Sequence, residues 1–453
     1  MFLFTLFFLI AVLYLFQCST YKCVTSEENS NDALRQLQCR FFAVYLPATF
    51  ADWLQGPYMY KLYSYYGFRE DEIFLLYMAG FASSFIFGTC VSGLADYCGR
   101  RLMCIVFNVI YLLSCLSKLS SSFKVLFVGR ILGGIGTSIL FSVFEAWYVY
   151  QHVEKHQLPL SWLNNTLSKA TFYNGLLAII SGLISNLFAD VLEMGPVIPF
   201  LLAVPCLIFS GSLAFSLWDE ASTLQNMCWF DVSNMLKISF KKEVLLLCLI
   251  QSIFESVMYV FIVLWTPILS PVSPPLGIVF SCFMLCIMIG STLHKWLVAK
   301  KYKPNSILPV TMLLASVALG ACALSETSFP DSCVYTCFLA FLLFEVSVGL
   351  YYPVIGFIRS CVLPEAYRAT LTSCFRLPVN FITCFSLFYF LHSRGTERSN
   401  SNRIVHESNS NQLSNNVQIF TVCALVLLGA SVMAKKLPVF LDQRETVLNV
   451  HNY

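Results

Sequence analysis

Apolar runs close to the roughly 20 residues that an α-helix needs to cross a bilayer recur along almost the whole chain. The first, Met1 to Phe16, has no basic residue before it and no small-residue cleavage site after it. It therefore departs from a signal peptide and reads as an uncleaved extra helix. The pattern then predicts twelve core helices. Six span Phe41 to Tyr63, Ile73 to Ala95, Leu102 to Leu119, Val125 to Tyr148, Leu167 to Phe188 and Pro196 to Leu217. After a polar stretch from Trp218 to Lys242, six more span Val244 to Pro267, Leu276 to Leu297, Ile307 to Leu324, Val334 to Ile358, Ala369 to Leu391 and Val417 to Ala434. The expected divisions are residues 1–40, the extra helix and a linker; 41–217, a first six-helix half; 218–243, a central loop; 244–434, a second half; and 435–453, a tail.

Composition agrees with lipid rather than water as the main solvent. Of the 453 residues 57% are hydrophobic and 12% charged, and the mean hydropathy is +0.71; soluble domains run at roughly 45–50% apolar and 25% charged. A net charge of +3 is too small to suggest nucleic acid. The 19 cysteines are scattered through apolar runs such as Cys282 to Cys286, with no CxxC or Cys/His cluster, so they read as small hydrophobes rather than a disulfide framework or a metal site. No nucleophile, metal, cofactor or phosphate motif points to an enzyme.

Lysine and arginine set the orientation, because the translocation machinery tends to retain them on the cytoplasmic side. Alternate loops and ends, from Lys22 through Arg100, Lys241 and Arg359 to Lys435, hold nineteen of them. The other set holds seven: Lys61, Arg69, Lys118, Lys124, Arg394, Arg398 and Arg403. The first set is read as cytoplasmic, so the core begins and ends inside. The sequon Asn164-Asn165-Thr166 falls in a cytoplasmic loop and should carry no sugar.

The two halves resemble each other. Asp52 follows Phe50 in the first core helix as Glu255 follows Phe254 in the seventh, and Phe141, Phe144 and Glu145 recur as Phe341, Phe344 and Glu345. Inside the apolar runs stand Asp52, Gln55, Lys61, Arg130, Glu145, Asn174, Gln251, Glu255, Glu345, Arg376 and Asn380. Polar groups at membrane depth are functional candidates by default. Arg376 suits an oxyanion, since its planar fork of N–H donors matches pairs of oxygens, and Asn380 lies four residues on, on the same helix face. Arg376 is equally suited to be a structural partner of Glu255 or Glu345. Asp52, Glu255 and Glu345 would repel an anion if ionised; they make sense as coupling groups if burial lets each carry a proton, or as structural partners of Lys61 or Arg376. Gln55, Asn174 and Tyr58 offer hydrogen bonds to substrate, although aromatic residues at this depth also serve packing.

The loop Ser92-Gly93-Leu94-Ala95-Asp96-Tyr97-Cys98-Gly99-Arg100-Arg101 resembles the signature loop of the major facilitator superfamily, with Ser92 in place of its first glycine and Tyr97 in place of its first basic residue. Gly99 permits a tight turn, Asp96 is expected where a helix N-terminus favours an anion, and Arg100 is expected to pair with Glu145 as a state-dependent gate; Arg101 fits a topology signal alone. The run Arg130-Ile131-Leu132-Gly133-Gly134-Ile135-Gly136 resembles the second signature. Its glycines are explained by close helix packing, and Arg130 either faces protein or water, as a substrate ligand would, or snorkels to the outer headgroups. The resemblance implies an all-α polytopic membrane protein of the major facilitator fold, two six-helix halves in pseudo-twofold repeat plus the extra helix, with substrate carried at the midplane.

Ala51-Asp52-Trp53-Leu54-Gln55-Gly56-Pro57-Tyr58, Tyr60-Lys61-Leu62-Tyr63, Phe144-Glu145-Ala146-Trp147-Tyr148, Phe254-Glu255-Ser256, Leu264-Trp265-Thr266-Pro267 and Pro275-Leu276-Gly277-Ile278 look like the molybdate-anion transporter branch of that superfamily. This likeness covers nearly the whole chain. It implies inward movement of molybdate, a tetrahedral oxyanion. The expected mechanism is alternation of the two halves about a central site, with coupling to protons where the carboxylates above carry them. The residues alone leave two rivals: a carrier of a neutral or organic solute, and a receptor or scaffold that kept the fold and lost transport. No retention or lipidation signal is present, and the plasma membrane is expected over an internal one.

Overall fold

In the computed structural model, residues 1–20, 31–220, 237–328, 333–363, 368–400 and 407–437 are described. Among them all regular structure is helical. The extra helix is α1 (Phe2–Thr20). The first core helix is α2 (Asp32–Gln55), a 3-10 turn (Gly56–Tyr58) and α3 (Met59–Tyr65). There follow α4 (Glu70–Cys98), α5 (Arg100–Ser117), α6 (Phe123–Tyr150), α7 (Leu160–Asn186) and α8 (Ile198–Leu217). Then come α9 (Lys242–Leu269), α10 (Leu276–Ala299), α11 (Pro304–Ser328), α12 (Cys333–Val362), α13 (Arg368–Asn400) and α14 (Glu407–Ala434). All thirteen expected helices are present.

Two departures have local causes. α2 starts at Asp32 rather than Phe41 because the Asn31 side chain caps it, accepting from the Leu34 N–H at 3.0 Å, and because Leu34 and Leu37 find buried positions there. The same helix does not run evenly to Tyr63. Pro57 cannot donate to the helical ladder, and the chain tightens into the Gly56–Tyr58 turn around it before α3 resumes.

Among the described residues, ten helices are long and apolar enough to cross a membrane. Among the core helices, α2, which carries Arg35, Arg40 and Asp52, falls outside that set, and the described apolar part of α13, Cys374–Tyr389, is shorter.

The chain forms two compact units, one of Met1–Leu6, Tyr21–Met227 and Pro275–Met284, the other of Phe7–Thr20, Cys228–Pro274 and Leu285–Tyr453. In unit 1, α2 packs on α7 and α8, and α5 on α6 and α8. In unit 2, α9 packs on α13 and α14, and α11 on α12 and α14. Taken in order, these are the same partnerships, so the repeat seen in short motifs extends to helix packing. Close approach uses glycine in both. A Cβ on Gly134 of α6 would overlap the Gly80 carbonyl of α4, and one on Gly349 of α12 would overlap the Ile287 carbonyl of α10. Serine hydroxyls tie the helices further. Ser210 donates to the Val44 carbonyl at 2.8 Å and Ser185 to that of Leu54 at 2.9 Å; in unit 2, Ser316 donates to Ala424 and Ser431 to Pro309, both at 2.7 Å. Such bonds are worth about 0.6 kcal/mol each in membrane helices. The described cysteines are all free.

Candidate transport site

In unit 1 the polar residues of α2 are already engaged. Asp52 accepts a short hydrogen bond from the Tyr111 hydroxyl of α5. Trp53 donates its indole N–H to Asn174 Oδ1 of α7 at 2.7 Å, and buried Gln55 donates back to the Ala51 carbonyl at 3.1 Å. The Tyr58 hydroxyl donates to Asp190 Oδ2 at 2.7 Å, while Lys61 Nζ reaches Asp190 Oδ1 at 2.6 Å. Lys61 therefore pairs with Asp190 rather than Asp52, and the Tyr58 hydroxyl is engaged by the same carboxylate. Arg130 turns inward, its Nε donating to the Leu76 carbonyl of α4 at 3.2 Å and its guanidinium lying 5.0 Å from the Tyr77 ring centroid. Gly80 makes room for it, since a Cβ there would come within 2.6 Å of Nη2. These contacts are with protein, as the inward-facing reading of Arg130 expects.

Unit 2 is arranged differently around its carboxylates. Glu255 of α9 accepts from the Tyr351 hydroxyl of α12 at 3.2 Å and from Gln251 one turn earlier, and it lies in the field of Arg359 and, after it, Arg376. Glu345 is buried, 5% exposed, with no hydrogen-bond or ion-pair partner among the described residues. Arg376 is exposed and forms no ion pair within 4.0 Å among the described residues, with Asn380 buried one turn further along α13. Arg376 thus acts on Glu255 through its field without a close ion pair among the described residues. A guanidinium without a close ion pair, in the field of a hydrogen-bonded carboxylate, can accept an anion when the carboxylate is neutral.

A third group gathers where α4 turns into α5. Gly99 has φ +104° and ψ +134°, a conformation that favours glycine, and a Cβ on it would overlap the Glu220 carboxylate. Glu220 Oε1 accepts from the Arg101 N–H at 3.2 Å, placing an anion at the start of α5. Asp96 was expected at a helix N-terminus; its backbone lies in the last turn of α4, and its side chain is outside the described residues. Arg100 donates to the Ala146 carbonyl of α6 at 3.1 Å and sits 5.2 Å from the Tyr150 ring centroid, one residue beyond the exposed Glu145. The first residues of the central loop fasten to the same end. Trp218 stacks on Trp147 at 3.8 Å and donates to the Arg40 carbonyl at 2.9 Å, and Asp219 pairs with Lys155 at 2.6 Å. The Lys155 hydrogen bond holds the Asp219 carboxyl below its ordinary value, helped by the fields of Arg40 and Arg101.

Residues 1–349 match the MFS_5 family, described as sugar transporters of 12 TM. The chain is 38% identical over 426 residues to the molybdate-anion transporter of Xenopus tropicalis, covering 93% of this chain and 90% of that one. It is 40% identical over 401 residues to the molybdate-anion transporter of Takifugu rubripes, covering 81% and 83%. The chain belongs to the molybdate-anion transporter family of the major facilitator superfamily. Solved structures share the fold at low identity. A D-xylose–proton symporter superposes with a TM-score of 0.65 at 12% identity over 87% of this chain and 97% of its own. An auto-inhibited POT family peptide transporter gives 0.70 at 12% identity over 89% and 96%. The protein is thus a multi-pass integral membrane transporter.

Sequence alone does not mark Tyr111, Asp190, Glu220 and Arg359 as partners, because a hydroxyl in an apolar run or a charge at a loop edge looks like packing or topology until its partner helix is known.

Proposed function

We propose that this family member imports molybdate or a related tetrahedral oxyanion by alternating access, coupled to protons. The observation that carries the reading is Arg376, a membrane-depth guanidinium with no carboxylate partner within 4.0 Å among the described residues. The names of the Xenopus and Takifugu relatives support the substrate. Arg376 anchors the dianion, Asn380 donates a further hydrogen bond, and Arg359 adds positive field. Asp52 and Glu255, each hydrogen-bonded to a tyrosine on another helix of its own unit, are the proton carriers, with Glu345 in reserve. Asp96, Gly99, Arg100 and Glu145 form the cytoplasmic gate of unit 1, and the plasma membrane is the proposed location.

The test is uptake of labelled molybdate by proteoliposomes with and without an imposed pH gradient. Flux that follows the gradient and is competed by sulfate supports the reading. A second reading, a carrier of neutral solutes, is favoured by the sugar-transporter description of the matching family. It predicts flux of a labelled hexose that excess molybdate leaves unchanged.

A further inference from the structure

Lys118 follows the last residue of α5 and borders a loop, where a lysine would normally extend its four-carbon stem to place the ammonium in water. It does the opposite. The side chain is fully buried, and Nζ has no hydrogen-bond partner among the described residues. The Tyr66 hydroxyl donates to the Lys118 carbonyl, pinning the backbone so that the stem points inward. Nζ lies 5.6 Å from the ring centroid of Tyr63, whose own buried hydroxyl is also without a partner. Tyr63 stands edge-on to Tyr77 at 6.4 Å, and Tyr77 carries Arg130 at 5.0 Å. Arg130 and Lys118 act on each other electrostatically, Cys115 is the other titratable group facing Lys118, and no carboxylate pairs with either cation among the described residues.

Two cations close together in low dielectric repel each other, and each loses hydration; a hydrogen-bonded counter-ion would relieve both costs. A phenol hydroxyl without an acceptor is a third donor. We propose that Lys118, Tyr63 and Arg130 form a buried binding site in unit 1 for a small inorganic anion, an oxyanion or a halide, additional to the Arg376 site. By the distribution of basic residues it lies at the non-cytoplasmic end of unit 1, where an imported anion would first bind. That placement rests on the proposed direction of transport; the site itself does not.

The experiment reads binding without flux. The purified full chain in lipid nanodiscs, in sodium gluconate, is heated while tryptophan emission is followed, with sodium molybdate, sodium sulfate or sodium chloride added in separate series. The same series are run on Arg376→Gln, in which the guanidinium proposed above is absent. A saturable rise in melting temperature that survives Arg376→Gln is expected, and the series that produces it identifies oxyanion or halide. Lys118→Met added to Arg376→Gln should abolish the rise, or shift its midpoint at least tenfold, while leaving the chain in gluconate as stable as Arg376→Gln alone or more so, because an unpaired buried charge has been removed. If Lys118→Met yields no folded protein, Tyr63→Phe decides, with a several-fold weaker midpoint expected. An unchanged midpoint in the deciding variant, or no anion-dependent rise in the Arg376→Gln chain, overturns the site. Failure of molybdate uptake with the rise intact would instead overturn the proposed function and leave this site standing.

Discussion

Gly99→Ala tests whether the turn between α4 and α5 and the start of the central loop act as one unit. At φ +104° and ψ +134° an alanine is strained by about 1–3 kcal/mol. Its Cβ would also displace the Glu220 carboxylate, which accepts from the Arg101 N–H at 3.2 Å, and loss of such a helix-start acceptor costs about 1 kcal/mol. The expected total is about 2–4 kcal/mol. Glu220→Ala alone should cost about 1 kcal/mol, and added to Gly99→Ala it should cost almost nothing, because the carboxylate has already been driven off. Reversible unfolding in bicelles, driven by binding a bulky trap protein to paired tags, measures all three. Additive costs would show that Glu220 does not sit on the turn, and a Gly99→Ala protein as stable as wild type would remove the case for the turn itself.

Other outcomes follow from the remaining contacts. Arg376→Lys keeps the charge but loses the fork, and should transport molybdate partially; Arg376→Gln should raise the half-saturation concentration at least tenfold, since a hydrogen bond to a charged group is worth about 1.5–3 kcal/mol. An unchanged value in Arg376→Gln makes the residue structural. Asp190→Asn leaves Lys61 without its counter-ion and should reduce thermal stability more than Lys61→Met does, a ranking readable by size-exclusion melting curves. The Asp219–Lys155 pair contributes fully above the ordinary aspartate value of 3.8 and is lost as pH falls from there through the lower value of the folded chain, so Asp219→Asn should leave the pH profile of uptake between about 5 and 7 unchanged in ~0.1 M salt. Asn164 should remain unglycosylated in cells, by mobility shift after glycosidase treatment.

The thirteen helices were legible because bilayer thickness imposes a length and a polarity that any sequence must obey. Local chemistry carried some boundaries, as with Gly99 closing α4. It misled elsewhere. The apolar run from Phe41 concealed a helix start nine residues earlier, because the stretch from Asp32 carries charges and is held by a cap that hydropathy does not register. Candidate residues were visible as polar groups in apolar surroundings, yet their partners were not. Asp52 and Tyr111 are 59 residues apart in sequence, and Tyr58 and Asp190 are 132 apart. Periodicity within one helix carries no information on which neighbour its polar face meets.

Trp147 and Trp218 lie 3.8 Å apart with ring planes 5° from parallel, each indole N–H fixed on a backbone carbonyl. Indoles stacked this closely couple their electronic transitions and behave as a single chromophore, with a split circular-dichroism band that the chain's other five tryptophans need not share. The pair spans the end of α6 and the residue after α8, so the band is an intrinsic optical gauge of their spacing. If unit 1 tilts as a rigid body during transport, the splitting stays constant through the cycle. If the helices bend past one another, it collapses in step with turnover, and the mode of motion becomes readable without any attached label.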